Sequence, residues 1–160
     1  SATHYRAKVV AEGKGSGGDI AVLQILDDKL VLPAEVKIAM SDAPVRGQHI
    51  WLVSNPYVVL DNSLTEGRVT GENRSFDFGG NGPEEFFQHD AVAVEGSSGG
   101  VILNDMGEML GTHVRGNGSG IGLGTPVSKL KTLLIAAGMR DVFDATKPAW
   151  KPTSSKMDQN

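Results

Sequence analysis

A serine lies in a dense run of glycines at residues 96–100, where the sequence is Gly-Ser-Ser-Gly-Gly. Glycine reaches positive φ at little cost and lets another molecule come close to the backbone, so such a run can form a tight turn with a hydroxyl at its apex. Taken alone, the run has two interpretations. It is a flexible hairpin loop, the commoner use of such stretches, or it is an active-site turn that presents Ser98 as a nucleophile.

The flanking residues favour the active-site interpretation. Residues 88–91 (Gln-His-Asp-Ala) precede the run, and an apolar strand followed by Asn-Asp-Met-Gly-Glu comes after it. This stretch resembles the nucleophile region of trypsin-like serine peptidases, most closely the HtrA/Deg type, in which Gln-Thr-Asp-Ala precedes Gly-Asn-Ser-Gly-Gly. The resemblance implies that Ser98 is the nucleophile. It also implies that the amides of Gly96 and Ser98 form the oxyanion hole, where two N–H groups converge on one oxygen.

An aspartate occupies the second position that this resemblance identifies. Residues 5–10 and 19–25 form a predicted hairpin around the glycine-rich turn 13–18. Similar hairpins in the HtrA/Deg pattern read Tyr-x-Ala-Lys-Val-Val and then Asp-Ile-Ala-Val-Leu-x-Ile, and their aspartate is catalytic. The resemblance therefore places Asp19 in the catalytic position. The alternative, which the flanking residues favour less, is that Asp19 merely caps a turn.

The resemblance also implies a substrate-binding strand and a primary pocket. The Gly-Thr-His-Val stretch at 111–114 is similar to the edge strand along which substrate pairs, which assigns substrate binding to Thr112, His113 and Val114. The residue six before the nucleophile, Val92, lies at the base of the pocket in this fold. An apolar floor has no charge to pair a buried Lys or Arg, so cleavage is expected after Val, Ala, Ile or Leu.

The catalytic chemistry also needs an imidazole between Ser98 and Asp19, because a serine hydroxyl is a poor nucleophile without a base. In the family this histidine lies in a strand upstream of the aspartate, and only eighteen residues precede Asp19 here. His4 is expected roughly 20 Å from Asp19 along an extended strand. His89 and His113 are expected to be substrate-lining or surface residues rather than the base. We therefore expect the chain to lack the catalytic histidine and the first strands of its N-terminal barrel.

The elements that must position these residues are mainly short strands. Glycine, proline and asparagine separate strand-like runs at 49–54, 63–70, 85–94, 101–103, 109–114 and 120–124. Strands at this spacing with no helix between them predict an antiparallel barrel. One helix is predicted over 126–137, with the Thr125 hydroxyl as its cap, Pro126 at its first position and Gly138 at its end.

The predicted fold class is all-β, a trypsin-like (chymotrypsin-fold) antiparallel β-barrel with one C-terminal helix. Residues 1–34 are expected to be a remnant of the N-terminal barrel, residues 35–138 a complete C-terminal barrel with its closing helix, and residues 139–160 a flexible tail. The resemblance to the HtrA/Deg type covers roughly residues 5 to 135.

Composition excludes several other classes of function. The chain has 160 residues, 39% of them apolar, and a net charge of -4, which offers no basic surface for nucleic acid. No apolar run approaches the roughly 18 residues of a membrane span. The absence of cysteine excludes disulfides and a thiol nucleophile, and no His, Asp and Glu grouping has metal-ligand spacing, so neither metal nor cofactor is expected. Localisation stays open.

Two functions follow. The first is a serine endopeptidase that forms an acyl-enzyme at Ser98, with its histidine on a missing or separate segment. The second is a catalytically inactive pseudo-peptidase that serves as a structural or protein-binding subunit of a larger assembly. Either function implies a polypeptide substrate or protein partner. The unpaired edge of the hairpin at 5–10 predicts a homo-oligomer or a companion N-terminal segment, and the isolated chain is expected to have negligible activity.

Overall fold

A computed structural model describes residues 3–32, 35–40 and 43–143. In this part of the chain, local alternation of apolar and polar residues produces strands, and a single longer helix follows them. The strands are β1 (Ala7–Glu12), β2 (Ala21–Ile25), β3 (His49–Ser54), β4 (Ser63–Phe76), β5 (Glu84–His89), β6 (Val101–Leu103), β7 (Met109–Gly116) and β8 (Gly122–Pro126), and the helix is α1 (Val127–Ala136).

Strands β3 to β8 form a closed antiparallel barrel in the order β3-β4-β5-β8-β7-β6, with β6 pairing back onto β3. Alternate residues of β3 point inward: Ile50 and Leu52 are fully buried, whereas His49 and Trp51 are partly exposed. This two-residue period is what barrel closure requires, because one face of each strand fills the interior. The interior is lined by Ile50, Leu52, Val69, Phe87, Ile102 and Leu110. The prediction of an antiparallel β-barrel with one helix is confirmed.

Strand β5 ends at His89, five residues before the predicted end of the 85–94 strand. The carboxylate of Asp90 accepts a hydrogen bond of 2.6 Å from the Arg68 amide, while the Asp90 amide donates to the Arg68 carbonyl at 3.2 Å. An Asp side chain that bonds a neighbouring amide competes with the β-ladder and ends it. Residues 90–100 therefore leave the sheet as a loop, and this loop carries Ser98.

Helix α1 agrees with the predicted helix 126–137 within one residue at each end. Gly138, at φ +72, follows its last turn, and the Met139 amide donates to the Leu134 carbonyl at 2.7 Å. The predicted Thr125 hydroxyl cap is wrong. Thr125 still belongs to β8, where it pairs with Thr112, and its Oγ1 is buried without a partner among the described residues. Within those residues, no helix has the length and apolar character needed to cross a bilayer.

The N-terminal hairpin is a separate two-stranded sheet of β1 and β2. The 3-10 turn Gly15–Gly17 joins the strands and rests on the barrel: a Cβ on Gly18 would lie 3.1 Å from Thr125 Cγ2, and one on Gly15 would lie 2.8 Å from the Asn81 carbonyl oxygen. This docking brings Asp19 to the barrel. The expected pairing of this hairpin with a second copy or a companion segment stays a prediction.

The predicted flexible tail, 139–160, is only partly described. Residues 140–142 form a short 3-10 turn, Arg140–Val142, after the helix. Residues 144–160 lie outside the described part of the chain.

Candidate active site

The two serines of the 96–100 loop have different roles in the structure. Ser97 is fully buried; its Oγ accepts hydrogen bonds from the Val94 amide at 3.2 Å and from Ser54 Oγ at 3.3 Å. Ser98 is exposed, and its Oγ donates to the Val114 carbonyl at 2.9 Å. Ser97 therefore holds the loop in place, and Ser98 presents its hydroxyl at the surface.

Strand β7 anchors the other side of this loop. The Gly99 amide donates to the His113 carbonyl, and the His113 amide donates to the Gly100 carbonyl, both at 2.8 Å. A Cβ on Gly100 would lie 2.8 Å from Ser54 Cβ, so only glycine allows this approach. The β7–β8 register shifts between residues 113 and 115, and the carbonyl of Val114, within this irregular stretch, accepts the hydrogen bond from Ser98.

Gly96 packs directly against the backbone of a neighbouring loop. Its φ is +88, and a Cβ there would lie 2.7 Å from the Tyr57 amide nitrogen and 2.8 Å from the Asn55 carbonyl oxygen. The amides of Gly96 and Ser98 have no hydrogen-bond acceptor within the described residues. The predicted oxyanion hole needs two N–H groups without an internal acceptor. The amides of Gly96 and Ser98, which flank the buried Ser97, are available for this role.

Ser98 and Asp19 line the same open cleft, which has a volume of about 440 Å³. The cleft therefore brings the predicted nucleophile, the predicted catalytic aspartate and the predicted substrate-binding strand together. Its other lining residues are Gly99, Thr112, His113, Val114 and Arg115. Asp19 reaches it because the hairpin turn rests on the barrel beside Thr125.

The predicted pocket residue Val92 lies outside this set of lining residues. Its side chain is 57% exposed, and its carbonyl accepts a hydrogen bond of 2.9 Å from Thr65 Oγ1. Its role at the base of a primary pocket stays a prediction.

His89 and His113 form a buried pair inside the barrel, with His89 Nε2 and His113 Nδ1 3.0 Å apart. Burial lowers the pKa of His89 to about 4, with the neighbouring His113 as a second cause, and burial also lowers the pKa of His113. The expectation that both are surface or substrate-lining side chains is wrong for His89, which is 0% exposed. Both imidazoles are therefore neutral near pH 7, and neither is hydrogen bonded to Ser98.

Sequence reasoning missed a cluster around His49, on the outer face of β3. Its Nδ1 lies 2.5 Å from Asp105 Oδ1 and its Nε2 lies 3.2 Å from Glu66 Oε2, while Trp51 Nε1 donates to Asp105 Oδ1 at 3.1 Å. The hydrogen bond to Asp105 is the main cause that raises the pKa of His49. Both imidazole nitrogens are engaged, so His49 is not placed to act on Ser98. In the described residues, no group of three or more His, Asp or Glu is arranged to hold a metal ion.

Residues 1–111 match the family model of the trypsin-like peptidase domain. The chain is 34% identical over 134 residues to the periplasmic serine endoprotease DegP of Escherichia coli strain K12, a match that covers 81% of this chain and 27% of DegP. It is 36% identical over 126 residues to the putative serine protease HhoA of Synechocystis, covering 75% of this chain and 32% of HhoA.

A solved structure is similar over most of the chain. The HtrA-type protease AlgW with a decapeptide matches with a TM-score of 0.67 and 26% sequence identity, covering 85% of this chain and 42% of AlgW. The chain spans about a third or less of the length of the curated relatives it matches.

Proposed function

The chain belongs to the trypsin-like serine peptidases of the HtrA/Deg type, and from this premise we propose that it carries the nucleophile and the aspartate of a serine endopeptidase. The observation that supports this most is the single cleft lined by both Ser98 and Asp19. Ser98 lies in the loop between β5 and β6 of the barrel, whereas Asp19 lies in the turn before β2 of the separate hairpin, so no strand pairing of the described residues connects them.

In the proposed reaction, Ser98 Oγ attacks the carbonyl carbon of a peptide bond. The C–N bond then breaks as the imidazole passes the Oγ proton to the leaving amine, and water hydrolyses the resulting acyl-enzyme. The amides of Gly96 and Ser98 stabilise the oxyanion, and Asp19 orients the imidazole that takes the Oγ proton. Ser98 Oγ must first leave the Val114 carbonyl, to which it now donates. Because no described histidine is hydrogen bonded to Ser98, the base in this proposal is a histidine from another polypeptide segment.

Covalent labelling by a fluorophosphonate tests this assignment. In the native protein that contains this chain, we expect one adduct, at Ser98, and cleavage of an unfolded protein substrate. Ser98→Ala should abolish both, since labelling needs the hydroxyl, whereas Ser119→Ala, a change at another exposed loop serine, should alter neither. The 160-residue chain alone should turn over substrate at least about 1,000-fold more slowly, because loss of a triad member costs orders of magnitude in rate.

Adduct mass and a peptide map of the labelled protein supply the readout. Labelling at a residue other than Ser98, or full turnover by Ser98→Ala, would remove the proposed nucleophile. Normal turnover by the 160-residue chain would instead show that His113, which borders the cleft, or another histidine of this chain acts as the base.

The alternative function, an inactive binding or structural subunit, has one observation in its favour. Ser98 donates to a main-chain carbonyl, while His113, which lines the same cleft, is bonded to His89. A protein of this kind would bind peptides in the cleft without cleaving them. Retained peptide binding with no Ser98 adduct in the native protein would favour this function over the peptidase.

We also propose an apolar preference at the primary pocket, with Val92 as its floor. Cleavage by the native protein is expected after Val, Ala, Ile or Leu, and Val92→Asp should shift cleavage toward Lys and Arg, since a carboxylate could pair their charge. Mass-spectrometric mapping of cleavage sites in a peptide library measures this. Val59→Asp, a matched change at an exposed valine, should leave the sites unchanged, and a dominant Lys or Arg preference in the unmutated protein would refute the pocket assignment.

A further inference from the structure

Arg115 places a positive charge in the cleft beside the nucleophile. It directly follows Val114, whose carbonyl accepts the Ser98 hydrogen bond, and it lines the same cleft as Ser98 and Asp19. No carboxylate of the described residues forms an ion pair with Arg115. The cleft thus holds, beside the Asp19 carboxylate, a cation that forms no ion pair within the described residues.

An aromatic ring holds this cation in position. The Arg115 guanidinium carbon lies 4.5 Å from the centroid of the Phe78 ring, in the loop between β4 and β5. Phe78 in turn packs against Phe76 and the buried Phe86, with ring centroids 5.4 and 5.8 Å away. Contact with a ring face occupies one flat side of a guanidinium and leaves its N–H edge able to bind a carboxylate in a fork geometry.

The main chain around Arg115 has room for an added strand. On the β8 side, Arg115 pairs with Leu123 and Gly116 pairs with Gly122. On the other side, pairing with β6 ends at Val101 opposite Thr112, so none of the described strands pairs with the edge of residues 114–116. An extended peptide can pair with such an edge, and its side chains then lie opposite those of the strand.

We propose that Arg115 is a specificity-determining residue that selects polypeptides with Asp or Glu two or three residues from the bond that Ser98 attacks. The inference rests on the proposed function, because Ser98 defines where that bond lies. Arg115 is one residue beyond Val114, whose carbonyl Ser98 contacts. A peptide strand rises roughly 3.3 Å per residue, so a peptide paired along 114–116 brings the residues two or three positions from the attacked bond past the Arg115 side chain. The other charged group in the cleft is Asp19, on the hairpin turn.

Peptide binding tests the preference without requiring turnover. The Ser98→Ala variant of the chain is titrated into pairs of fluorescent hexapeptides, and binding is measured by fluorescence anisotropy. The two peptides of a pair differ only in having Glu or Gln at one position. At low salt we expect the best Glu peptide to bind about five-fold more tightly than its Gln match, which is the range of an accessible ion pair. The difference should shrink toward none in about 1 M salt, where the Debye length is about 3 Å.

Variants separate Arg115 from the net charge of the molecule. Arg115→Gln should remove the preference, and Phe78→Leu should weaken it while leaving the charge in place. Arg140→Gln, the same change in charge on the turn after α1, should leave the preference intact. Equal binding of Glu and Gln peptides, or a preference that survives in Arg115→Gln, would overturn this inference and leave the proposed function standing. If neither the Glu nor the Gln peptide binds, the inference is also overturned. Fluorophosphonate labelling of Ser98 in the native protein then tests the proposed function separately.

Discussion

Replacing Gly96 with alanine should lower the rate at which a fluorophosphonate labels Ser98 in the native protein by at least about 100-fold, the cost of losing one oxyanion-hole donor. Gly96 has φ +88, and an added Cβ would lie 2.7 Å from Tyr57 N, 2.8 Å from Asn55 O and 3.0 Å from Val58 N. These are main-chain atoms, so the clash can be relieved only by moving the loop, and its amide with it. We also expect the free energy of unfolding to fall by about 1–3 kcal/mol.

A matched control separates the clash from the backbone conformation. Gly47 has nearly the same φ, +87, but a Cβ there would meet nothing within 4 Å. Gly47→Ala should therefore cost about 1 kcal/mol of stability and leave Ser98 labelling unchanged. Labelling kinetics and urea unfolding of both variants give the comparison. A Gly96→Ala protein that labels at the unmutated rate would show that this amide is not an oxyanion donor.

Lowering the pH from about 6.5 to about 4 should reduce the free energy of unfolding by about 3 kcal/mol through the buried histidine pair. His89 is 0% exposed, and its Nδ1 is buried without a partner in the described structure. Burial, and then the neighbouring His113, lower its pKa from 6.5 to about 4, while Asp90 acts weakly in the opposite direction. The unfolded chain therefore takes up a proton below pH 6.5 that the folded chain accepts only near pH 4. The contribution of His89 to the free energy of unfolding is therefore largest above pH 6.5 and declines as the pH falls toward 4.

Urea unfolding at several pH values between 7.5 and about 4 measures this dependence. His89→Gln should flatten the dependence of the free energy of unfolding on pH, because the main titrating group is gone. His49→Gln is the control of opposite sign: the pKa of His49 is raised, so its contribution is present below pH 6.5 and is lost as the pH rises through the folded-state value. An unchanged slope in His89→Gln would show that other groups control the acid sensitivity.

Local sequence predicted the elements well where their boundaries depend on nearby residues. Strand β6 has the predicted bounds, 101–103, and α1 differs by one residue at each end, because Pro126 and Gly138 act on the backbone next to them. Strand β5 was predicted too long. The side chain that ends it, Asp90, bonds the amide of Arg68, which lies 22 residues away and on another strand.

In the candidate active site too, some features follow from the local sequence and others from contacts between distant residues. The glycines of the 96–100 run identify a tight turn from the sequence alone, because the need for positive φ is a property of single residues. That Ser97 is buried while Ser98 is exposed depends on Ser54 and Val114, which belong to other strands. The meeting of Asp19 with Ser98 likewise depends on the hairpin turn resting on the barrel.

The turn positions and the succession of short strands and one helix along the chain could thus be predicted from the amino-acid sequence, since each depends on neighbours within a few residues. The tertiary structure alone decided which distant side chains meet. His49 contacts Asp105, 56 residues further along the chain, and Glu66, 17 residues further along. Arg115 lies over Phe78, which comes from a different hairpin. Such pairs carry no local pattern, because barrel closure and strand register, not sequence proximity, bring them within hydrogen-bonding or ring-stacking distance.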